Sequence, residues 1–259
     1  MERIPFMKMN GCGNDFIVVD NRQGIMEEYD LPEFIRRVCA RRISLGADGF
    51  MMIENSDIAD FKMRYFNADS SEGEMCGNGA RCISRFAFLN GVAGSEMTFE
   101  TIAGIYQSKV VGKNVRLKFP PVKTRDISLN QTNTFDGKTL EYHNALVGVP
   151  HEILYRDDVD TMDYRELYSL GRTIRYHKSF PTGTNVNFIK VMDDRNVIIR
   201  TYERGVEDET LACGTGSTAA AIVSCLLCKT RAPVTVHTRA GLLKIYFDLE
   251  KDLIDNLYM

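Results

Sequence analysis

Apolar and polar positions along this chain alternate between two periods. Residues 16–20, FIVVD, form an apolar, β-branched run behind the Gly/Asn turn GCGND and predict a strand. LPEFIRRVCARRI, 31–43, shifts to helical spacing, with Pro32 in the first turn, where its missing N–H costs nothing. GADGFMMIE reads as a turn and strand, and DFKMRYFN alternates like a half-buried strand. After the polar loop ADSSEGE, MCGNGARCISRFAFLNG places Cys82, Ile83, Phe86 and Leu89 on one helical face and stops at Gly91. MTFETIAG, IYQSKVVG and NVRLKF predict a meander with glycine and asparagine turns.

From 120 to 140 the pattern thins to PPVKTRD and KTLEYHN, which reads as polar loop and sets a domain junction between 125 and 126. Beyond it come ALVGV, a helix around DYRELYSLGRTIRY, strands NVNFIKV and NVIIRTYER, a helix through GSTAAAIVSCLLC, and final strands VTVHT and GLLKIYF. The halves 1–125 and 126–259 echo each other. NDFIVVD pairs in character with NVNFIKVMD, and RYFNAD before EMCGNGARC parallels RTYERG before TLACGTGST. The cysteine follows the aromatic by ten residues from Phe66 to Cys76 and by eleven from Tyr202 to Cys213. A duplicated β-rich α/β domain with one central helix per half accounts for this order.

Composition narrows the function classes. Across 259 residues, 44% hydrophobic and 26% charged is a globular balance, and a net charge of −3 points away from nucleic acid and anionic membrane. The N-terminus lacks a secretory apolar core, and no apolar run reaches the length of a membrane span, so the expected location is cytoplasmic. Seven cysteines, an odd number, fit a reducing compartment. The single CxxC, Cys225-Leu-Leu-Cys228, lies in AAAIVSCLLC and reads as buried helix core rather than as half of a zinc site; no metal is expected.

The repeated Cys-Gly-x-Gly carries the chemistry. Glycines let the backbone turn and approach a ligand, and the free N–H groups of the helix that follows can hold a carboxylate. The same positive end favours thiolate over thiol. If the halves pack face to face, Cys76 and Cys213 flank one ligand. One sulfur then removes a proton beside a carboxylate and the other returns one to the opposite face, with no cofactor. Neither motif is a P-loop, no lysine motif supports pyridoxal phosphate, and a Cys-His-Asn protease leaves the second motif unexplained.

The motifs KMNGCGNDFIVVD, FNAD, MCGNGARC, GVPH, GTNVNF, YERG and ACGTGS cover nearly the whole chain, and as a set the sequence resembles the diaminopimelate epimerases, cofactor-independent two-cysteine racemases and epimerases. The resemblance implies two β-barrel-like sheets, each wrapped on a central helix, with the active-site cleft between them. It implies epimerisation of L,L- to meso-diaminopimelate for lysine and peptidoglycan precursor synthesis, with Cys76 and Cys213 as acid and base. Gly77, Asn78, Gly214 and Thr215 would hold the carboxylate, Asn14, Asn67, Asn185 and Arg204 would contact substrate, and His151 and Glu203 would sit beside the reacting centre near the ammonium. It also allows a homodimer. Without the family, Asn14 and Asn67 read as turn residues, Glu203 and Arg204 as a solvated pair, and His151 as a loop histidine.

Two positions and the C-terminal end depart from the family pattern. Val149 replaces an asparagine that binds the distal end of diaminopimelate, and Gly49 replaces a glutamine of some members. A racemase of another amino acid such as histidine, or a non-catalytic ligand-binding relative, is the alternative these changes leave open. The chain stops at DNLYM, where relatives continue through a TGPA-type segment, so either the sequence is cut short or a last strand and some dimer contacts are missing.

Overall fold

A computed structural model describes residues 3–259, and the chain divides between Lys118 and Phe119 into two compact units. The division precedes 125 because the chain from Phe119 belongs to the second sheet. Its N–H donates to the Leu257 carbonyl at 2.8 Å, and residues 122 and 123 pair with 253 and 254.

In the first unit, strands β1 (Met7–Gly11) and β2 (Asn14–Asp20) form a hairpin, followed by helix α1 (Leu31–Cys39). Strands β3 (Gly49–Glu54), β4 (Phe61–Asn67) and the short β5 (Glu72–Gly73) lead into helix α2 (Gly77–Leu89), and β6 (Glu96–Thr101), β7 (Gly104–Val111) and β8 (Asn114–Leu117) complete the unit. The sheet order is β1-β2-β3-β4-β6-β7-β8, with β5 on β4; β2–β3 and β4–β6 are parallel and the other pairs antiparallel. Side chains alternate across it. Ile17, Val19, Phe50, Met52 and Phe66 pack under α1 with Ile35, while Phe16, Val18 and Met51 point the other way, toward the face of α2, which touches β1 to β4. Buried on both faces, β2 therefore reads as an unbroken apolar run. Helix α1 starts at Asp30, whose carboxylate accepts from the Glu33 N–H, but it ends at Cys39 rather than at 43. Arg41 leaves the helix to bind both Asp15 and Asp48, at 2.5 and 2.7 Å.

The second unit opens with β9 (Val122–Lys123), β10 (Ile127–Phe135) and β11 (Lys138–Val147). The stretch expected as polar loop is thus largely a hairpin. Its edge strand β10 is mostly exposed, so no apolar alternation marks it, and the turn is Asp136-Gly137, both at positive φ (46° and 77°). Then follow β12 (Val149–Tyr155), α3 (Tyr164–Arg175), β13 (Asn185–Asp193), β14 (Asn196–Glu203), β15 (Asp208–Thr210), α4 (Gly214–Leu226), β16 (Val234–Thr238), β17 (Gly241–Leu249) and β18 (Leu253–Tyr258). Strand β18, unassigned from sequence, pairs with β17 and β9. The order is β10-β11-β12-β13-β14-β16-β17-β18-β9, with β15 on β14; β12–β13 and β14–β16 are parallel. Helix α4 is buried along ten successive residues from Gly216 to Cys225 and touches β11 to β14, β16 and β17. Cys228, expected in the core with Cys225, is exposed, because the helix has ended and the chain turns there at φ 56°.

The duplication is real, with one change of pairing. The strand before each outer helix runs parallel to the strand after it, so β2 corresponds to β12 and β3 to β13. NVNFIKVMD is therefore the counterpart of GFMMIE, not of NDFIVVD. Similar residues misled the comparison; the parallel register decides it.

Candidate active site

Each cysteine occupies the N-cap of the inner helix of its unit. Cys76 (φ −136°, ψ 115°) and Cys213 (φ −113°, ψ 116°) are extended, and each sulfur accepts the N–H of the third residue on, Gly79 or Gly216, at 3.4 Å. The second glycine of each motif lies against a neighbouring strand. A methyl group on Gly79 would lie 2.9 Å from the Met51 sulfur, and one on Gly216 2.5 Å from Asn187 Oδ1. The motif therefore serves both the turn and the approach of a neighbouring strand.

An ion pair repeated in both units aims each cysteine. Arg64 on β4 donates to both Glu72 oxygens on β5 at 2.7 and 2.9 Å, and Arg200 on β14 donates to both Glu209 oxygens on β15 at 2.7 and 2.8 Å. Each pair pins the short strand that runs into a cysteine, and the two-point geometry fixes orientation as well as distance. Nothing in the sequence reading singled it out. The halves resembled each other at RYFNAD and RTYERG, but the glutamate partners lie eight and nine residues downstream.

In the first unit Asn14, at the start of β2, accepts from Asn78 Nδ2 at 2.8 Å, and Asn78 accepts from Arg81 at 2.8 Å. Asp48 holds this end of the sheet through Asn14 Nδ2 and the Asp15 N–H, at 3.3 and 3.1 Å. Asn67 is exposed at the end of β4, where its Oδ1 accepts from the Tyr65 hydroxyl at 2.6 Å and its Nδ2 donates to Ser71 at 3.0 Å. Tyr65, unnoticed in the sequence, explains Gly49. Its ring lies in a slot between two glycines, and a methyl group on either Gly49 or Gly73 would come within 2.7 Å of a ring carbon. A glutamine at 49 and this tyrosine rotamer exclude each other.

In the second unit Glu203 ends β14, half-buried, and accepts from Thr210 Oγ1 at 2.7 Å. Burial pushes its carboxyl up, against the pull of that hydrogen bond. The Arg204 N–H donates to Asn185 Oδ1 at 2.8 Å, Asn185 Nδ2 donates to the Pro150 carbonyl at 3.2 Å, and the Arg204 guanidinium binds the Thr182 carbonyl at 3.1 Å. Val149 begins β12 half-buried, and the preceding turn passes over Thr215; a methyl on Gly148 would sit 3.8 Å from Thr215 Cγ2. His151 is a strand residue, not a loop residue, and is 0% exposed.

Cys213 corrects one expectation. Burial pushes its thiol up to about 12, Glu203 adds to the shift, and the contacts with Thr215 and Gly216 recover only part of it. The helix terminus alone would favour thiolate; here desolvation wins, and Cys213 rests as a thiol.

The geometry defines a class: a duplicated α/β chain whose halves each present a cysteine at the mouth of a sheet-wrapped helix. Solved structures share the fold at low identity. They include a Bacillus anthracis phenazine biosynthesis protein of the PhzF family (TM-score 0.69, 16% identity, 100% of this chain and 95% of that one) and a probable proline racemase from Agrobacterium radiobacter (TM-score 0.66, 15% identity, 99% and 88%). The family model described as Diaminopimelate epimerase matches residues 6–122 and 144–255. Relatives named diaminopimelate epimerase include those of Aquifex aeolicus, 43% identical over 96% of this chain and 91% of its own length, and Archaeoglobus fulgidus, 44% identical over 94% and 89%. The chain belongs to the diaminopimelate epimerase family.

Proposed function

We propose that this protein interconverts L,L- and meso-diaminopimelate by inverting one stereocentre, with Cys76 and Cys213 as the two proton-transferring groups. The product serves lysine and peptidoglycan precursor synthesis. The observation that carries the reading is the duplicated thiol: in each half a pinned short strand ends in a cysteine whose sulfur caps a helix opening on Gly-x-Gly.

Inversion needs two groups in opposite protonation states, one on each face of the carbon. A thiolate takes the α-proton, the electron pair of the broken C–H bond stays on carbon and spreads into the carboxylate, and the other thiol gives its proton to the opposite face. The first sulfur ends as thiol and the second as thiolate, so protons and charge balance. N–H groups of Gly77 and Asn78, and of Gly214 and Thr215, are the donors for the carboxylate as its charge grows. Asn14, Asn67, Asn185 and Arg204 take the remaining polar groups of the substrate, with His151 and Glu203 beside the reacting centre. The scheme requires no cofactor. An odd number of cysteines, seven, suits the reducing cytoplasm, where we place the protein, as the homodimer its family resemblance suggests.

Reaction in deuterated water tests this. Stopped early, from either diastereomer, the product should carry deuterium at the inverted carbon and the recovered substrate should not, because the two transfers use different sulfurs. Cys76→Ala and Cys213→Ala should each lower kcat by about 10²–10⁴-fold. Full activity in either variant, or equal exchange into recovered substrate, would end the two-thiol scheme. L-histidine in the same screen decides whether Val149 has redirected the site.

A further inference from the structure

His151 and Asn187 stand where the first unit has Phe16 and Met51. The strand registers make the correspondence: His151 opposes Asn185 as Phe16 opposes Gly49, and Asn187 opposes Thr201 as Met51 opposes Tyr65. Asn187 Oδ1 and the Met51 sulfur even crowd equivalent helix glycines, Gly216 and Gly79. The architecture is thus built once with two apolar side chains at these places and once with two polar ones, all four buried. Burying polar groups costs stability unless they are bonded, so the fold itself gives no reason for the exchange.

The hydrogen bonds around Asn187 determine which way it points. Its Nδ2 lies 3.2 Å from the Glu152 carbonyl oxygen and 3.2 Å from His151 Nδ1, and its Oδ1 accepts from Thr201 Oγ1 at 2.9 Å. A carbonyl oxygen only accepts, so the end of the amide facing it is the NH2 group. The second hydrogen of that group points at Nδ1, which must therefore be the unprotonated nitrogen. The proton of the neutral ring is left on Nε2, which is buried and has no protein partner among the described residues. Burial, with Arg204 as a lesser cause, lowers the His151 pKa to about 3, so the ring stays neutral at working pH.

We propose that Asn187, braced by Thr201, is a positioning residue that locks His151 as the neutral Nε2–H tautomer, so that the ring meets its ligand as a hydrogen-bond donor to an anionic oxygen or sulfur. An ammonium group, which only donates, is not its partner. The ligand half of this inference rests on the epimerase reading; the tautomer does not.

The protein has four histidines, so long-range proton–nitrogen correlation on ¹⁵N-histidine-labelled enzyme resolves them, with His151→Gln assigning the resonance. The expected result is a protonated Nε2 and a bare Nδ1 that do not titrate between about pH 6 and 9. A proton on Nδ1, or an imidazolium in that range, overturns the proposal. Asn187→Asp places a carboxylate against Nδ1 and should move the proton there, lowering kcat by about 100-fold, the scale of a lost transition-state donor, while the other three histidine spectra stay put. An unchanged Nε2–H signal in that variant refutes the role of Asn187. Thr201→Val, close in shape, should weaken the preference and lower kcat less than Asn187→Asp; should the aspartate variant not fold, wild type and Thr201→Val still decide. Loss of the tautomer with epimerisation intact sinks only this inference, and the tautomer in a protein without epimerase activity sinks only the functional one.

Discussion

His151 and Glu152, neighbours on β12, respond to burial in opposite directions. They point to opposite faces of the sheet, and desolvation penalises whichever form is charged: it lowers the histidine to about 3 and raises the Glu152 carboxyl from 4.5 to about 7. Glu152 Oε1 accepts from Asn144 Nδ2 at 2.7 Å, and this bond together with the Thr184 hydroxyl recovers only part of the shift. Between the two pKa values the folded chain keeps a proton the unfolded chain has lost, so stability contributed by this group is present below about 4.5 and lost as pH rises through about 7. Glu152→Gln keeps the Oε1 acceptor and cannot ionise. Its melting temperature should approach that of wild type near the lower value and exceed it increasingly toward about pH 8; His151 acts alike in both proteins and cancels. A pH-independent difference would show that Glu152 titrates normally.

Among the elements, the inner helices α2 and α4 show a conflict between capping and chemistry. Sulfur accepts the Gly79 and Gly216 N–H groups only at 3.4 Å, where serine, a preferred N-cap, would bind more closely. Alanine caps nothing and costs about 0.5–2 kcal/mol. At both positions the serine variants should therefore melt above the alanine variants while losing epimerisation just as they do; thermal melts of the four proteins check the ranking. A serine variant less stable than its alanine counterpart would mean that the cap contact is incidental. Sequence alone placed both helix starts correctly, since Cys-Gly-x-Gly followed by helical spacing has few other solutions. It missed the β10–β11 hairpin because an edge strand with solvated faces carries no apolar period, although Asp136-Gly137 was its turn signal.

Across the whole molecule, the two units solve one packing problem with different side chains. The helix glycine meets the mobile end of Met51 in one unit and, in the other, Asn187, held by three hydrogen bonds. Gly79→Ala should be close to neutral, since the cost of displacing a yielding thioether cancels most of the gain in helix propensity, about 1 kcal/mol. Gly216→Ala should destabilise by about 1–3 kcal/mol, as overpacking against a fixed neighbour does. Urea titration compares them; equal effects would mean that Asn187 moves as freely as Met51.

What the sequence determined by itself was the duplication, the inner helices and the cysteine at the start of each, because these rest on local signals: turn glycines, β-branched runs and a motif written twice. Only the tertiary structure decided which strands correspond, since parallel pairing joins residues far apart along the chain. It alone supplied the Arg–Glu pairs behind the cysteines, the glycine slot that fits Tyr65, and the Asn187–His151 contact. Each of these is a meeting of side chains across neighbouring strands, and the register that brings them together is fixed by the packing of whole faces, which no short stretch of residues contains.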